Sequence, residues 1–120
     1  MSADNYTTKD SGKREEFGAG AVRDSQSGKP RYDLMPTLPL RRVAELYARG
    51  AEKYAEVDEI NWIKGIPTSR ILASLMRHLE AARAGEQDED HLAAVVWNAL
   101  AWMYFQGTDW DDLNKLWNRE

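Results

Sequence analysis

The chain has 120 residues, 16 basic against 20 acidic side chains for a net charge of −4, no cysteine, and aromatics at 10% that include five tryptophans. That length holds one compact domain, and the acidic balance argues against nucleic acid as a partner, because duplex binding calls for a basic surplus. Without cysteine there is no disulfide, thiolate zinc site, iron–sulfur cluster or cysteine nucleophile.

Residues 1–28 are rich in Ser, Gly, Lys, Asp and Glu and predict a mobile N-terminal arm with no secretory signal, ahead of a helical domain over 29–120. In Lys29-Pro30-Arg31-Tyr32-Asp33-Leu34-Met35-Pro36, prolines bias their preceding residues away from helix, so the segment is expected to be extended and packed on the body. A first helix is predicted from about Pro39 to Tyr54, with Leu40, Val43, Ala44, Tyr47, Ala51 and Tyr54 on one stripe. Residues 55–67 read as a loop around Asn61-Trp62. A second helix opens at Pro67-Thr68-Ser69 and ends near Gly85, burying Ile71, Leu72, Leu75, Met76, Leu79 and Ala82. A third starts in the acidic run Asp88-Glu89-Asp90, which suits a positive helix N-terminus, and continues to about Gln106. Leu92 to Phe105 is apolar nearly all round apart from Asn98, so this helix is expected to be central and to pack against a second subunit. The run is also shorter than the roughly 20 residues of a membrane span. A short fourth helix follows, with Thr108 as its cap and Asp111 and Asp112 in its first turn. No strand-like alternation of useful length occurs. The expected class is all-α, a four-helix bundle.

A short link makes the second and third helices antiparallel, so Arg77, His78, Glu80, Glu86, Asp88, Glu89, Asp90 and His91 gather at one end. His78 shares a stripe with Ile71 and Leu75, and His91 with Val95, Asn98 and Trp102, so both histidines face inward. Carboxylates and imidazoles delivered from two helices are how bundles build metal sites, and oxygen-rich sets favour Mg²⁺ or Mn²⁺. Each group also has a plainer reading. The acidic run can be a solvated helix start, His78 a hydrogen-bonded core residue, Asn98 a satisfied buried amide, and Glu80 a surface partner of Arg77 or Arg83. Glu45 and Glu52 belong to the wet face of the first helix and stand as reserve ligands. Asn61-Trp62 either covers the bundle end or stacks on a base and reads its edge. Lys53, Lys64 and Arg77 suit phosphates or surface ion pairs. No Walker loop, GxGxxG, Ser-His-Asp set or HExxH occurs.

Gly28-Lys29-Pro30-Arg31-Tyr32-Asp33-Leu34-Met35-Pro36, Gly50-Ala51-Glu52-Lys53-Tyr54, Asn61-Trp62-Ile63-Lys64-Gly65, Arg77-His78-Leu79, Gly85-Glu86, Asp88 and His91-Leu92-Ala93 through Asn98 resemble, in order, the phage dATP/dGTP diphosphohydrolase family. That family is placed among the MazG-like all-α nucleoside triphosphate pyrophosphohydrolases. The resemblance implies a MazG-like bundle assembled as a dimer or tetramer in the cytoplasm of an infected cell. It implies hydrolysis of a nucleoside triphosphate, (d)GTP to (d)GMP and pyrophosphate, with two or three Mg²⁺ or Mn²⁺ ions, in phages that make 2-aminoadenine. The Glu-Glu-x-x-Glu and Glu-x-x-Asp signatures of MazG-like enzymes are absent, replaced by Arg77-His78-Leu79-Glu80 and Asp88-x-x-His91. The expected metal set is Glu80, Glu86, Asp88, Asp90 and His91, of which Glu86, Asp88 and His91 are expected to be catalytic. Lys53, Tyr54, Asn61, Trp62, Lys64, Arg77, His78 and Asn98 are the expected substrate contacts. The rival readings are a non-catalytic helical oligomerisation module, a dATP-preferring hydrolase, and a histidine-based phosphatase.

Overall fold

A computed structural model describes residues 7–54 and 60–117, and the chain divides into two units, Met1–Met35 and Pro36–Glu120. The first unit carries a small antiparallel hairpin, β1 (Arg14–Glu16) and β2 (Val22–Asp24), in the register Arg14↔Asp24, Glu15↔Arg23 and Glu16↔Val22. The sequence reading had no strand here, because three-residue strands are too short to show a period. Polar ties hold the hairpin instead. The Asp24 carboxylate accepts from the Ser11 amide at 3.0 Å, the Ser11 hydroxyl and Lys29 Nζ at 3.1 Å, and these donors hold it well below the usual carboxylate range. The Lys29–Pro36 segment, expected to be extended, contains a 3-10 turn at Tyr32–Leu34.

The second unit is all-helical: α1 (Thr37–Lys53), α2 (Thr68–Arg83), α3 (His91–Phe105) and α4 (Asp112–Trp117), with a 3-10 turn at Trp62–Lys64 before α2. Part of the predicted 55–67 loop, residues 55–59, lies outside the described residues. Among the helices, α3 packs on both α1 and α2, and α4 packs on α2. Ile71 of α2 packs with Ala101 and Phe105 of α3, while His78 meets His91, so α2 and α3 run antiparallel. Arg42 meets Asp90 and Tyr47 meets Trp97, so α1 runs in the direction of α3.

Local chemistry explains the boundaries. Gly85, at φ +81°, ends α2 in the left-handed conformation, and the Glu86 N–H then bonds the Ala81 carbonyl at 3.0 Å. This closure of orphan carbonyls is what turns the chain sharply into the α2–α3 link. Asp90 caps α3, its carboxylate accepting the Ala93 N–H at 3.1 Å. Asp111, rather than Thr108, caps α4 by accepting the Asn114 N–H at 3.2 Å. Thr108 shapes the preceding turn, donating to the Phe105 carbonyl at 2.6 Å.

Burial departs from the predicted stripes in a consistent direction. On α1 the covered face is Val43, Leu46, Tyr47 and Gly50, with Ala44 and Ala51 exposed. On α2 and α3, Met76, Leu79, Leu92, Val96, Leu100 and Met103 are exposed although apolar. Gly65, at φ +128°, lies against Trp110, and a Cβ there would overlap the indole ring. Gly65→Ala is therefore expected to destabilise the fold by about 3 kcal/mol, from backbone strain plus overpacking. Chemical denaturation measures this, and a loss below about 0.5 kcal/mol would show that Trp110 moves aside freely.

Candidate functional site

An open cleft of about 1130 Å³ lies between α1, the C-terminal half of α2 and the start of α3. One wall is cationic, with Arg42, Arg49 and Lys53 from α1; the floor carries His78, Glu86, Asp88, Glu89, Asp90 and His91; and Tyr54, Trp97 and Asn98 complete the lining. Helical spacing places the three cations on one face of α1. Sequence reasoning selected Lys53 alone and missed Arg42 and Arg49, although their spacing was visible.

Asp90 joins two jobs at this junction. While capping α3, it also pairs with Arg42 through Nε at 2.9 Å and Nη2 at 2.7 Å, which pulls its pKa from 3.8 to about 2. The bidentate pair fixes α1 against the start of α3, and so sets one side of the cleft.

The two histidines meet at the cleft floor. Nδ1 of His78 stands 2.9 Å from Nδ1 of His91, and Nε2 of His91 stands 2.7 Å from the Asp88 carboxylate. His91 is buried at 7% exposure, whereas Asp88 is exposed. Hydrogen bonding to Asp88 raises the His91 pKa, with Glu89 and Glu86 adding to the effect, and the same bond lowers that of Asp88. An imidazole Nε2–H donating to the carboxylate leaves Nδ1 to share one proton with His78, since two facing N–H groups cannot bond. His78, Glu89 and His91 each present one ligand atom, all within 4.8 Å of one another. Two imidazoles and a carboxylate converging so closely fit a divalent ion.

The remaining expected residues distribute unevenly. Glu86, Asp88, Asp90, His78, His91, Lys53, Tyr54 and Asn98 line the cleft. Buried Asn98 spends its amide on the Ala94 carbonyl at 2.8 Å. Glu80 pairs with Arg83 at 2.7 Å and, with Arg77 and Glu86, borders a separate shallow groove. Glu45 and Glu52 are exposed on α1 and lie outside the cleft lining. Asn61, Trp62 and Lys64 are also outside it. Trp62 is instead ringed by Tyr47, Trp97, Tyr104 and Phe105, with centroids 5.0 to 6.3 Å away and mostly edge-to-face. One of those rings, Trp97, also lines the cleft.

The family model for the dATP/dGTP diphosphohydrolase N-terminal region matches residues 19–113. The chain belongs to that family. The match spans every residue of the cleft, and the family's name specifies a diphosphohydrolase acting on purine deoxynucleoside triphosphates. No curated protein and no solved structure matches the chain. Among the described residues, no helix is long and apolar enough to cross a membrane.

Proposed function

We propose that the cleft cleaves a purine (deoxy)nucleoside triphosphate between its α and β phosphates, water and substrate giving a nucleoside monophosphate and pyrophosphate. The observation that carries this is the pairing of a cationic wall, Arg49 and Lys53, with a floor of imidazoles and carboxylates across one open cleft. A polyphosphate needs fixed positive charge along its length, and the attacking water needs a base beside the scissile phosphorus. His91, oriented by Asp88 and coupled to His78, meets the second need; Glu86 and Glu89 stand at the same end. A bound divalent cation would neutralise phosphoryl charge and lower the pKa of water, and His78, Glu86, Asp88, Glu89 and His91 are the groups placed to attract one. Tyr54 and Trp97 offer aromatic rings to the base, Asn98 lines the same cleft, and Trp62 packs edge-on to Trp97.

Within the family the reading extends to (d)GTP as the preferred substrate. The chain resembles MazZ, the diphosphohydrolase of phages that replace adenine with 2-aminoadenine, a role in which dGMP is the useful product inside the infected cell. The exposed apolar stripe of α3, Leu92, Val96 and Met103 with Leu100 beside it, supports assembly into a dimer or tetramer.

Incubating the protein with each (d)NTP, with Mg²⁺ or Mn²⁺ and again with EDTA, and separating the products by anion exchange tests the reaction. Metal-dependent release of dGMP and pyrophosphate is expected, with dGTP turned over faster than dATP. Orthophosphate as the first product would indicate a phosphatase, and no turnover of any nucleotide would leave an oligomerisation module.

A further inference from the structure

We propose that the cleft is built for one borderline transition-metal ion, held by the facing nitrogens of His78 and His91 and by the Glu89 carboxylate, with Asp88 acting behind His91 as a positioning residue and not as a ligand. The sequence expectation was different, an oxygen-rich set for Mg²⁺ or Mn²⁺ that included Asp88.

The geometry separates the two. Metal–imidazole bonds run about 2.0–2.1 Å, so two neighbouring nitrogens in one coordination sphere stand roughly 3 Å apart. The His78 and His91 Nδ1 atoms are already 2.9 Å apart, a hydrogen-bond distance at which they share one proton. An ion about 2.0–2.1 Å from both nitrogens stands off the line on which that proton lies, so taking its place requires the two rings to turn while their nitrogens keep this spacing. Glu89, exposed on the link, brings its carboxylate within 4.8 Å of a ring nitrogen of each histidine. Asp88 Oδ1 is committed to the far nitrogen of His91, Nε2, at 2.7 Å. A carboxylate hydrogen-bonded to the non-ligating nitrogen is the usual way that a metal-binding histidine is oriented and made more basic. The other charged groups near the floor do not compete for the ion: Arg42 and Asp90 neutralise each other, and Glu86 adds negative potential. Imidazole donors select Co²⁺, Ni²⁺ or Zn²⁺ over Mg²⁺, which holds to oxygen ligands and dehydrates reluctantly.

This deepens the hydrolase reading and rests on it only for what the ion is used for; with both imidazoles on the ion, the base beside the water is Glu86 and not His91. The test therefore measures binding apart from turnover. The EDTA-stripped full chain is titrated with Co²⁺, Zn²⁺ and Mg²⁺ alone, by calorimetry and by the visible absorption of Co²⁺, with helix content followed by circular dichroism. The expected result is one Co²⁺ or Zn²⁺ per chain, bound at least about 100-fold more tightly than Mg²⁺. His78→Gln and His91→Gln should abolish the cobalt band, and Glu89→Gln, a change on the exposed link, should weaken binding with the fold intact. Asp88→Asn should lower affinity about tenfold while keeping the band shape, because the ligands are unchanged. Mg²⁺ bound as tightly as Co²⁺, a cobalt band that survives His78→Gln, no ion bound by the folded chain, or Asp88→Asn abolishing the band as fully as His91→Gln would each overturn the proposal. A bound ion without hydrolysis would sink the hydrolase reading and leave the site standing; Mg²⁺-driven hydrolysis without a histidine-bound ion would do the reverse.

Discussion

Phe105→Ala should lower the stability of the helical unit by about 4 kcal/mol, the upper part of the range for deleting a buried aromatic ring. Phe105 is 2% exposed and packs with Ile71 and Ala101, and its ring stands edge-on to Trp62 and Tyr104. The removed side chain would leave a void bounded by α2, α3 and the Trp62 turn, three pieces tied separately and unable to close on it together. A urea midpoint that falls with an unchanged slope measures the cost cleanly. Met103→Ala, two residues away on the face the single chain leaves exposed, should cost less than about 0.5 kcal/mol at protein concentrations low enough to keep the chain monomeric. Equal effects from the two would mean that the inner and outer faces of α3 have been assigned wrongly.

His91→Gln is expected to reduce turnover of dGTP by about a thousandfold or more while helix content stays near that of the parent. Glutamine keeps an amide near the ring position but can neither take a proton near neutral pH nor share one with His78. Asp88→Asn should fall between, about ten- to a hundredfold down, because Asn still accepts from Nε2–H but no longer stabilises a charged ring. Steady-state kinetics on the two variants rank these roles. Asp88→Asn losing as much as His91→Gln would make the carboxylate a reacting group in its own right.

Much of the helical unit was legible because its signals are local. The Pro67-Thr68-Ser69 start, the Gly85 stop and the acidic run before His91 each act within one helical turn, and each marks a boundary to within a few residues. The meeting of His78 and His91 was legible too, since a short link and two helical periods suffice to bring them together. What failed were readings that depend on a third element. The cations of α1 join the site only because Arg42 reaches Asp90, 48 positions away, and no local pattern encodes that. Between the two readings of Trp62, stacking on a base or covering the bundle end, no local pattern chooses, as its four ring neighbours come from two helices. The face of α1 was misjudged by a partial turn, because Ala44 and Ala51 count as apolar in a periodicity yet offer little to bury. The hairpin escaped notice because Asp24 and a turn, not alternation, hold it together.

The start of α2 has a consequence for the order in which the molecule can be completed. Thr68 is fully buried; its N–H bonds the Trp110 carbonyl at 3.0 Å, and its hydroxyl donates to Asp111 at 2.8 Å. The next amide, that of Ser69, bonds the Asp112 carboxylate at 2.8 Å. Donors that a helix normally satisfies with a neighbour just upstream are here satisfied by residues more than forty positions downstream. A ribosome releases α2, the link and all of α3 before the groups that finish the first turn of α2 exist. Until then the first turn of that helix lacks its downstream acceptors, and the bundle is complete only once its shortest helix is in place.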